Sequence, residues 1–549
     1  RAQLAAERGL RRLHVGGEVR PHTQELIDLA ARLYAAHGLE VHLRPEGERT
    51  TPIWLSSFGV FVDELDGGEN FTASHSQSYK GGWKPMDASG GQLLEMAPLI
   101  GERVRVLARR AVTEGFAIRL AAADDARIVR DFDPYDRYVE VLRQVVPADL
   151  VAEARNGGDH GFRAAFCTEG GSMARAARRV FESLGIGMDQ EGPVFFTHEE
   201  EASDYHGIGV VAGVNHGVDP GKRQVYKHVG AQDLLREGRA DVFFIWDPDG
   251  DRFNMVTTAP ADLATRAREA GLEVDPLDED RCLVYFKPNQ IYFMLTAAKI
   301  AALQEAGELD RYDWTVASTW PTSRSIGEVA ESVTARGGAR LATFRVPVGF
   351  KHFAALVSDL ERQIVAGADP CHATDVTGER TDLGARPRLL IMAEESGGAA
   401  MGSAEPVRSR DGNRTSLAPK EKDAMQIGVM ALCLAARLHR EGRSWAAYYR
   451  DLLAEHDVRW RFYERRDVTL FDESLKGEAR EQARAAGNRR KDDTVAWFAA
   501  LEGRDPEDVR AALQDALPEG VEAPPVVRCF HAGDGTLIEF AGQWFELRA

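Results

Sequence analysis

Residues 241–246, DVFFIW, run directly into 247–253, DPDGDRF. A short apolar run closed by a Pro/Gly turn reads as a buried strand followed by a loop. Asp247, Asp249 and Asp251 alternate along that loop, and alternation on extended backbone lets three carboxylates converge on one point. Carboxylates so close together repel strongly unless a cation neutralises them, and hard oxygen donors select Mg²⁺ or Ca²⁺ over softer metals. The loop also lies at the carboxyl end of a strand, where open α/β sheets bind ligands. It is not an EF-hand, because its glycine falls at the fourth position and no Glu stands at the twelfth. A solvated acidic turn is the alternative, and the buried strand before it weighs against that.

Upstream of this strand, 162–167 reads as another buried strand and Gly170-Gly171 as a turn. Met173, Ala176, Val180 and Leu184 form one helical face ended by Gly185, and 194–197 forms a further strand. Strand, helix, strand repetition implies a mixed or parallel sheet with crossover helices. Nearer the start, a helix is expected over 23–38, with Thr23 as N-cap and Leu26, Leu29, Ala30 and Leu33 as its apolar face. A strand at 40–43 and an apolar run at 53–65 follow, and 92–118 and 134–146 read as helix, strand and helix. Downstream, a charged connector at 261–281 precedes a Pro288-started helix to about 306. Strands at 314–318, 341–345 and 389–392 alternate with helices from about 351 and from about 421 to 440. The segment 465–500 reads as polar and helical with a solvent-exposed loop at 487–493. The end of the chain is β-rich, with Gly533-Asp534-Gly535 as a hairpin turn.

The chain of 549 residues exceeds what one hydrophobic core supports. The expected architecture is α/β in four domains: 1–150, 151–260 and 261–455 as α/β domains with mixed sheets, and 456–549 as a smaller α+β domain. A net charge of −18 argues against a nucleic-acid surface, which carries a basic stripe. It does not exclude anionic substrates, which a few local cations can capture. No run of 18 apolar residues is present to span a membrane, and the first residues have no apolar core of a secretory signal. The five cysteines, far apart and without a CxxC pair, read as buried free thiols in a reducing cytoplasm.

Three further loops carry chemistry. In 72–84, TASHSQSYKGGWK, Ser74 stands beside His75, and Lys84 follows a glycine-rich arm. A serine can carry a phosphoryl group whose oxygens complete a metal's coordination, and a lysine can move a proton to or from a sugar hydroxyl. In VPVGFKHF, the backbone N–H groups entering a helix and Lys351 suit a phosphate. In AEESGG, Glu394, Glu395 and Ser396 suit vicinal sugar hydroxyls. Each loop alone reads as a polar turn or helix start; the metal loop gives them a common purpose.

In order and approximate spacing, TASHSQSYKGGWK, DPDGDR, VGFK and EESGG resemble the α-D-phosphohexomutases, the phosphoglucomutase and phosphomannomutase family, over about residues 20–547. The resemblance implies a four-domain enzyme with a central cleft. In it Ser74 carries the phosphoryl group, and Asp247, Asp249 and Asp251 hold one Mg²⁺ together with that phosphoserine. His75 and Lys84 transfer protons, and Arg252 stands beside the reacting phosphate. Glu394 and Ser396 bind sugar hydroxyls and Lys351 the substrate. Arg20, counted with the substrate-binding residues, looks like the arginine of the family's N-terminal stretch that supports the serine loop. The implied reaction is two phosphoryl transfers through a hexose bisphosphate, here glucose 1,6-bisphosphate. A monomer or homodimer in the cytoplasm, acting on small hexose phosphates, is expected.

The sequence departs from the family at Ser76-Gln77, where Asn-Pro is usual. The family's Phe-Gly-Thr-Ser-Gly-x-Arg-Gly opening and its terminal Ser-Gly-Thr phosphate loop are absent, so the sequence is expected to be part of a longer one. Two rival readings stand beside the mutase. Asp247-x-Asp249-Gly250 after an apolar strand also resembles haloacid-dehalogenase-type phosphatases, with Asp247 as nucleophile, although that motif normally opens its domain. The other rival is a non-catalytic sugar-phosphate-binding relative. Among mutases, Glu395 leans away from phosphoglucosamine; glucose 1-phosphate is the first expectation and mannose 1-phosphate the second.

Overall fold

Strand Val242–Trp246 is buried along its whole length because apolar residues occupy both of its faces, as a central strand covered on both sides requires. In the computed structural model, which describes residues 1–548 except 94, 95, 116, 338 and 473, it sits inside a six-stranded sheet. Glu273–Pro276, Arg281–Tyr285, Phe253–Pro260, Val242–Trp246, Ala164–Cys167 and Val194–Thr197 follow in that order. Val242–Trp246 runs parallel to Ala164–Cys167 and antiparallel to Phe253–Pro260, and Met173–Leu184 is the crossover helix, with Met173, Ala176, Val180 and Leu184 buried as expected.

The expected connector at 261–281 is instead part of this sheet. It forms helix Ala264–Glu269 and strand Glu273–Pro276, which pairs antiparallel with Arg281–Tyr285. Glu273 and Asp275 pair with Arg223 at the surface, while Val274, Cys282 and Val284 pack into the core on one face of the sheet and Leu283 into the core on the other. The sheet therefore continues to Tyr285, past the boundary at 260.

The first unit holds a five-stranded sheet in the order Lys84–Met86, Gly67–Phe71, Arg12–Gly17, Glu40–His42, Ile128–Val129. It is parallel except for Lys84–Met86. The 53–65 run forms helix Ile53–Val62, all of whose residues are buried, the signature of a helix apolar on every side. Helix Thr23–Ala36 starts with Thr23 inside it rather than as its cap. It buries Ile27, Ala30, Ala31 and Tyr34, while Leu26 and Leu29 are exposed. In 92–118 there is one helix, Ala97–Thr113, and the expected strand is displaced to Ile128–Val129; residues 94, 95 and 116 lie outside the described residues.

The third unit has a sheet in the order Leu341–Val346, Asp313–Thr319, Pro387–Ala393, Ala399–Ala400, its first three strands parallel. Helix Ala424–Arg440 leaves this unit and packs under strand Val242–Trp246. Gly428 permits the approach, because a Cβ there would meet the Trp246 ring at 2.5 Å. The Trp246 indole N–H in turn donates to Ala424 O at 2.9 Å. The C-terminal unit is an antiparallel sheet of Val526–His531, Gly535–Phe540 and Gln543–Arg548, flanked by helices Gly477–Ala499 and Pro506–Ala516. The loop expected at 487–493 is the middle of helix Gly477–Ala499. Gly487 lies against Leu470, so a polar, glycine-containing stretch stays helical because the helix is seated on its neighbour there. The Gly533-Asp534-Gly535 hairpin turn is present.

Candidate active site

The acidic loop is held in place by the ends of two buried helices. Ile53 N donates to Asp249 O at 2.9 Å and Ala424 N to Gly250 O at 3.2 Å. Both N–H groups belong to first turns, where they have no partner within their own helix. Gly250 adopts φ +72°, and a Cβ at this position would lie 2.2 Å from Met173 Sδ. So fixed, Asp247, Asp249 and Asp251 turn inward, all buried, with one oxygen of each within 4.8 Å of the others.

The serine loop lies directly against them. Ser74, at φ +51°, an uncommon conformation for a residue with a Cβ, donates from Oγ to Asp247 Oδ2 at 2.7 Å. The same Oγ is 3.3 Å from Asp251 Oδ1 and 3.3 Å from His75 Nδ1. Lys84 Nζ reaches Asp249 Oδ2 at 3.1 Å and Asp251 Oδ2 at 2.8 Å. Arg20 braces the loop rather than facing a ligand. Its Nη1 donates to the carbonyls of Gln77 (2.8 Å) and Lys80 (2.6 Å), its Nη2 to those of Ser74 (2.5 Å) and Ser76 (3.3 Å), and its Nε to Glu18 Oε1 (2.6 Å). With the guanidinium fully engaged, Arg20 is corrected from substrate-binding to loop-supporting. The same clamp restrains the Ser76-Gln77 turn, which lacks a proline.

A second ring of groups sets the charge balance. Burial, Asp249 and Asp251 push the Asp247 carboxyl well above the usual range. Burial would also raise Asp251, but Lys422, Lys84 and Arg252 outweigh it and hold it well below. Burial lowers His75 to about 4, with Arg252 adding to the effect, so its imidazole is neutral at pH 7. Burial would lower the Lys84 ammonium, but Asp249, Asp251 and Glu421 raise it well above the usual value, and it stays charged. Glu18 is raised to about 7 by burial. It accepts from Thr72 Oγ1 at 2.7 Å, which also lies 2.7 Å from Asp249 Oδ2, and from Tyr205 of the second unit at 2.9 Å.

The other predicted loops meet here. Phe253 N donates to Gly397 O at 3.1 Å, which joins the EESGG loop to the acidic loop. Glu394 Oε1 accepts from Gly349 N at 3.0 Å, which joins it to the VGFK turn, while Ser396 Oγ is 3.3 Å from Glu394 Oε2. Lys351, half-buried beside Gly349, makes no ion pair among the described residues. Arg252 lies 3.7 Å from both Asp219 and Asp251. Glu395 does not share the site with Glu394: it accepts from Arg548 at 2.8 Å and from Thr319 at 3.0 Å, which ties the third unit to the C-terminal sheet.

Sequence reasoning missed Lys422. Its Nζ lies 3.1 Å from Glu394 Oε2 and 3.7 Å from Asp251 Oδ2, linking the metal loop to the sugar loop. In PKEKD it looks like an ordinary charged helix start. The signal available was its position one residue before Asp423, the N-cap of Ala424–Arg440, which fixes the backbone beside it. Asp219 and Glu18 were missed as well, and each sits alone in sequence without a pattern.

Residues 2–105 match the family described as phosphoglucomutase/phosphomannomutase, alpha/beta/alpha domain I. A search of curated protein sequences finds no significant match. Among solved structures, the chain is similar to a protein from Thermus thermophilus provisionally described as a phosphomannomutase. That match has 18% identity and a TM-score of 0.53, and covers 83% of this chain and 79% of that one. It is also similar to a phosphoglucomutase/phosphomannomutase family protein from Burkholderia thailandensis, at 14% identity, covering 100% and 87%, with a TM-score of 0.49. The Thermus likeness carries the fold.

Proposed function

We propose that this chain, whose residues 2–105 match domain I of the phosphoglucomutase/phosphomannomutase family, is a phosphohexomutase that moves a phosphoryl group between Ser74 and hexose monophosphates. Glucose 1-phosphate and glucose 6-phosphate are its first substrates, mannose 1-phosphate the alternative, and glucose 1,6-bisphosphate the intermediate. The observation that carries the reading is the position of Ser74 Oγ, 2.7 Å from one carboxylate of a buried triad that Lys84 also touches.

The residues fit a divalent cation. All donors are hard oxygens, and Asp249 Oδ1 is buried without a hydrogen-bond partner. Asp247, Asp249, Asp251 and the phosphorylated Ser74 would hold Mg²⁺, which when bound neutralises charge on the phosphoryl oxygens. In the transfer, the bond from Ser74 Oγ to phosphorus breaks as a bond from a sugar hydroxyl oxygen to phosphorus forms, and the hydroxyl proton passes to a base. His75, neutral and beside Ser74, is the candidate base, and Lys84, held as an ammonium, is the candidate donor that returns a proton to the departing Ser74 Oγ, while Arg252 and Lys422 add positive charge to the wall around the phosphoryl group. Glu394 and Ser396 accept or share hydrogen bonds with sugar hydroxyls, and Lys351 faces the substrate's anionic group. Thereafter the bisphosphate presents its other phosphate, and the reverse sequence regenerates phosphoserine.

Asp247 is poorly placed as a phosphatase nucleophile, since Oδ1 accepts from Asp251 N and Arg252 N and Oδ2 from Ser74. The test is a coupled assay on glucose 1-phosphate and mannose 1-phosphate with and without Mg²⁺, joined to mass analysis of the phosphorylated chain. An acid-stable phosphate on Ser74, with exchange abolished in Ser74→Ala, supports the reading. A hydroxylamine-labile acyl phosphate on Asp247, or full exchange in Ser74→Ala, refutes it.

A further inference from the structure

Away from the triad, three arginines converge where the third unit meets the C-terminal sheet. Arg324 precedes helix Ser325–Ala335, Arg345 lies in strand Leu341–Val346 and Arg528 in strand Val526–His531. All three surround one carboxylate, Glu539. Arg324 Nη2 donates to Oε1 and Arg528 Nε to Oε2, while Arg345 Nη1 comes no closer than 3.9 Å. The Arg345 guanidinium donates no hydrogen bond among the described residues, and Glu331, Glu379 and Asp375, the next carboxylates, form no ion pair with the cluster. Glu331 acts on Arg345, and Glu379 and Asp375 on Arg528, from beyond ion-pair distance; within that distance three positive charges stand against one negative charge.

The floor is aromatic. Arg345 and Arg528 lie over the Trp320 ring at 5.1 and 5.9 Å, Arg528 over Phe530 at 4.7 Å, and Arg324 over Trp460 at 4.7 Å. Stacking on rings fixes planar guanidiniums while leaving their edges free to donate. The Trp320 indole N–H, on a side chain 3% exposed, is buried without an acceptor. Burial and the neighbouring Arg324 lower the Arg345 guanidinium to about 10, as expected of a cation short of counter-charge.

The geometry points to a binding site for a phosphate-class dianion held by Arg324, Arg345 and Arg528 at the seam between the third unit and the C-terminal sheet. Planar, multiply donating arginines match phosphate oxygens, and a dianion would balance the two charges that Glu539 leaves over. Two of the arginines come from the third unit and one from the C-terminal sheet, so an occupant joins the two. The site is separate from the serine loop and stands independently of the mutase reading.

The test is calorimetric titration of the full chain carrying Ser74→Ala, which prevents turnover, with inorganic phosphate and with glucose 1-phosphate run separately. Ionic strength is held constant with chloride. In Arg345→Met, affinity is expected to fall about tenfold. In Glu539→Gln, which removes the competing carboxylate, it is expected to rise about threefold. If inorganic phosphate shows this pattern, the site takes the free ion; if only glucose 1-phosphate does, it takes an esterified phosphate. Both results support the site. Should Arg345→Met fail to fold, the Glu539→Gln tightening decides. Titrations of both ligands unchanged by Glu539→Gln and by a folded Arg345→Met overturn it.

Discussion

At the residue scale, Arg20 concentrates the most consequence in one side chain. Four carbonyls of the serine loop and Glu18 depend on its planar fork. A lysine in its place offers a single point of donation. Arg20→Lys is expected to lower kcat by about 10²-fold with a much smaller change in KM, because misplacing a reacting oxygen by roughly 1 Å has that effect; steady-state kinetics on glucose 1-phosphate checks the split. Asp423 offers a pH signature. It caps helix Ala424–Arg440 through Gln426 N and accepts from Tyr138, and burial raises it from 3.8 to about 7. Between those values the unfolded chain is ionised and the native carboxyl protonated, so stability falls as pH rises through the window and the loss is complete above about 7. Asp423→Asn keeps the cap and removes the titration. Relative to the parent it is expected to gain on the order of 1–2 kcal/mol between pH 4.5 and 7.5, read from urea unfolding at both pH values. The Asp triad was legible because three acids alternate after a buried strand, a pattern with few other uses. Lys422 and Glu18 were not, since a lone charge announces nothing until the fold brings a partner to it.

At the scale of elements, the strands buried on both faces were readable because apolar residues fill every position; Val242–Trp246 and Ala164–Cys167 are the cases. Elements with mixed faces were not. Glu273–Pro276 hides a sheet strand among acidic residues, and Gly477–Ala499 carries a helix through a glycine and a run of charges that read as a loop. In Thr23–Ala36 the apolar residues at Leu26 and Leu29 drew the face to the wrong side, because Tyr34, Ala31 and Ile27 are the ones the sheet covers. The helix that matters most is Ala424–Arg440, pressed on Trp246 at Gly428. Gly428→Ala places a methyl 2.5 Å from the indole and is expected to destabilise by about 1–3 kcal/mol despite the helical preference for Ala. Thermal unfolding reads the loss. Mg²⁺-dependent activity should fall as well, since Trp246 leads directly into Asp247.

At the scale of the molecule, an arm of the third unit fastens onto the first. Arg414 Nη1 donates to the carbonyls of Val60, Leu65 and Ala88, Arg410 pairs with Asp63 and Asp136, and Ser409 and Asn413 bond Glu64. Arg414→Ala is expected to loosen the first unit by about 1–3 kcal/mol, splitting a single calorimetric transition into two and speeding proteolysis near residue 65. Unchanged scans would show that the aromatic and aliphatic core between the units suffices without the arm. The packing of Ala424–Arg440 beneath Val242–Trp246 has a further consequence for the order of events during synthesis. The acidic loop leaves the ribosome some 175 residues before the helix that supports its floor. Until that helix arrives, Trp246 is covered by Phe166 and Phe181 on one side only and Gly250 O lacks the N–H that anchors it. The growing chain therefore carries its carboxylates, serine and lysine long before they can be assembled. Competence comes late and all at once, when residues 424–440 close the underside.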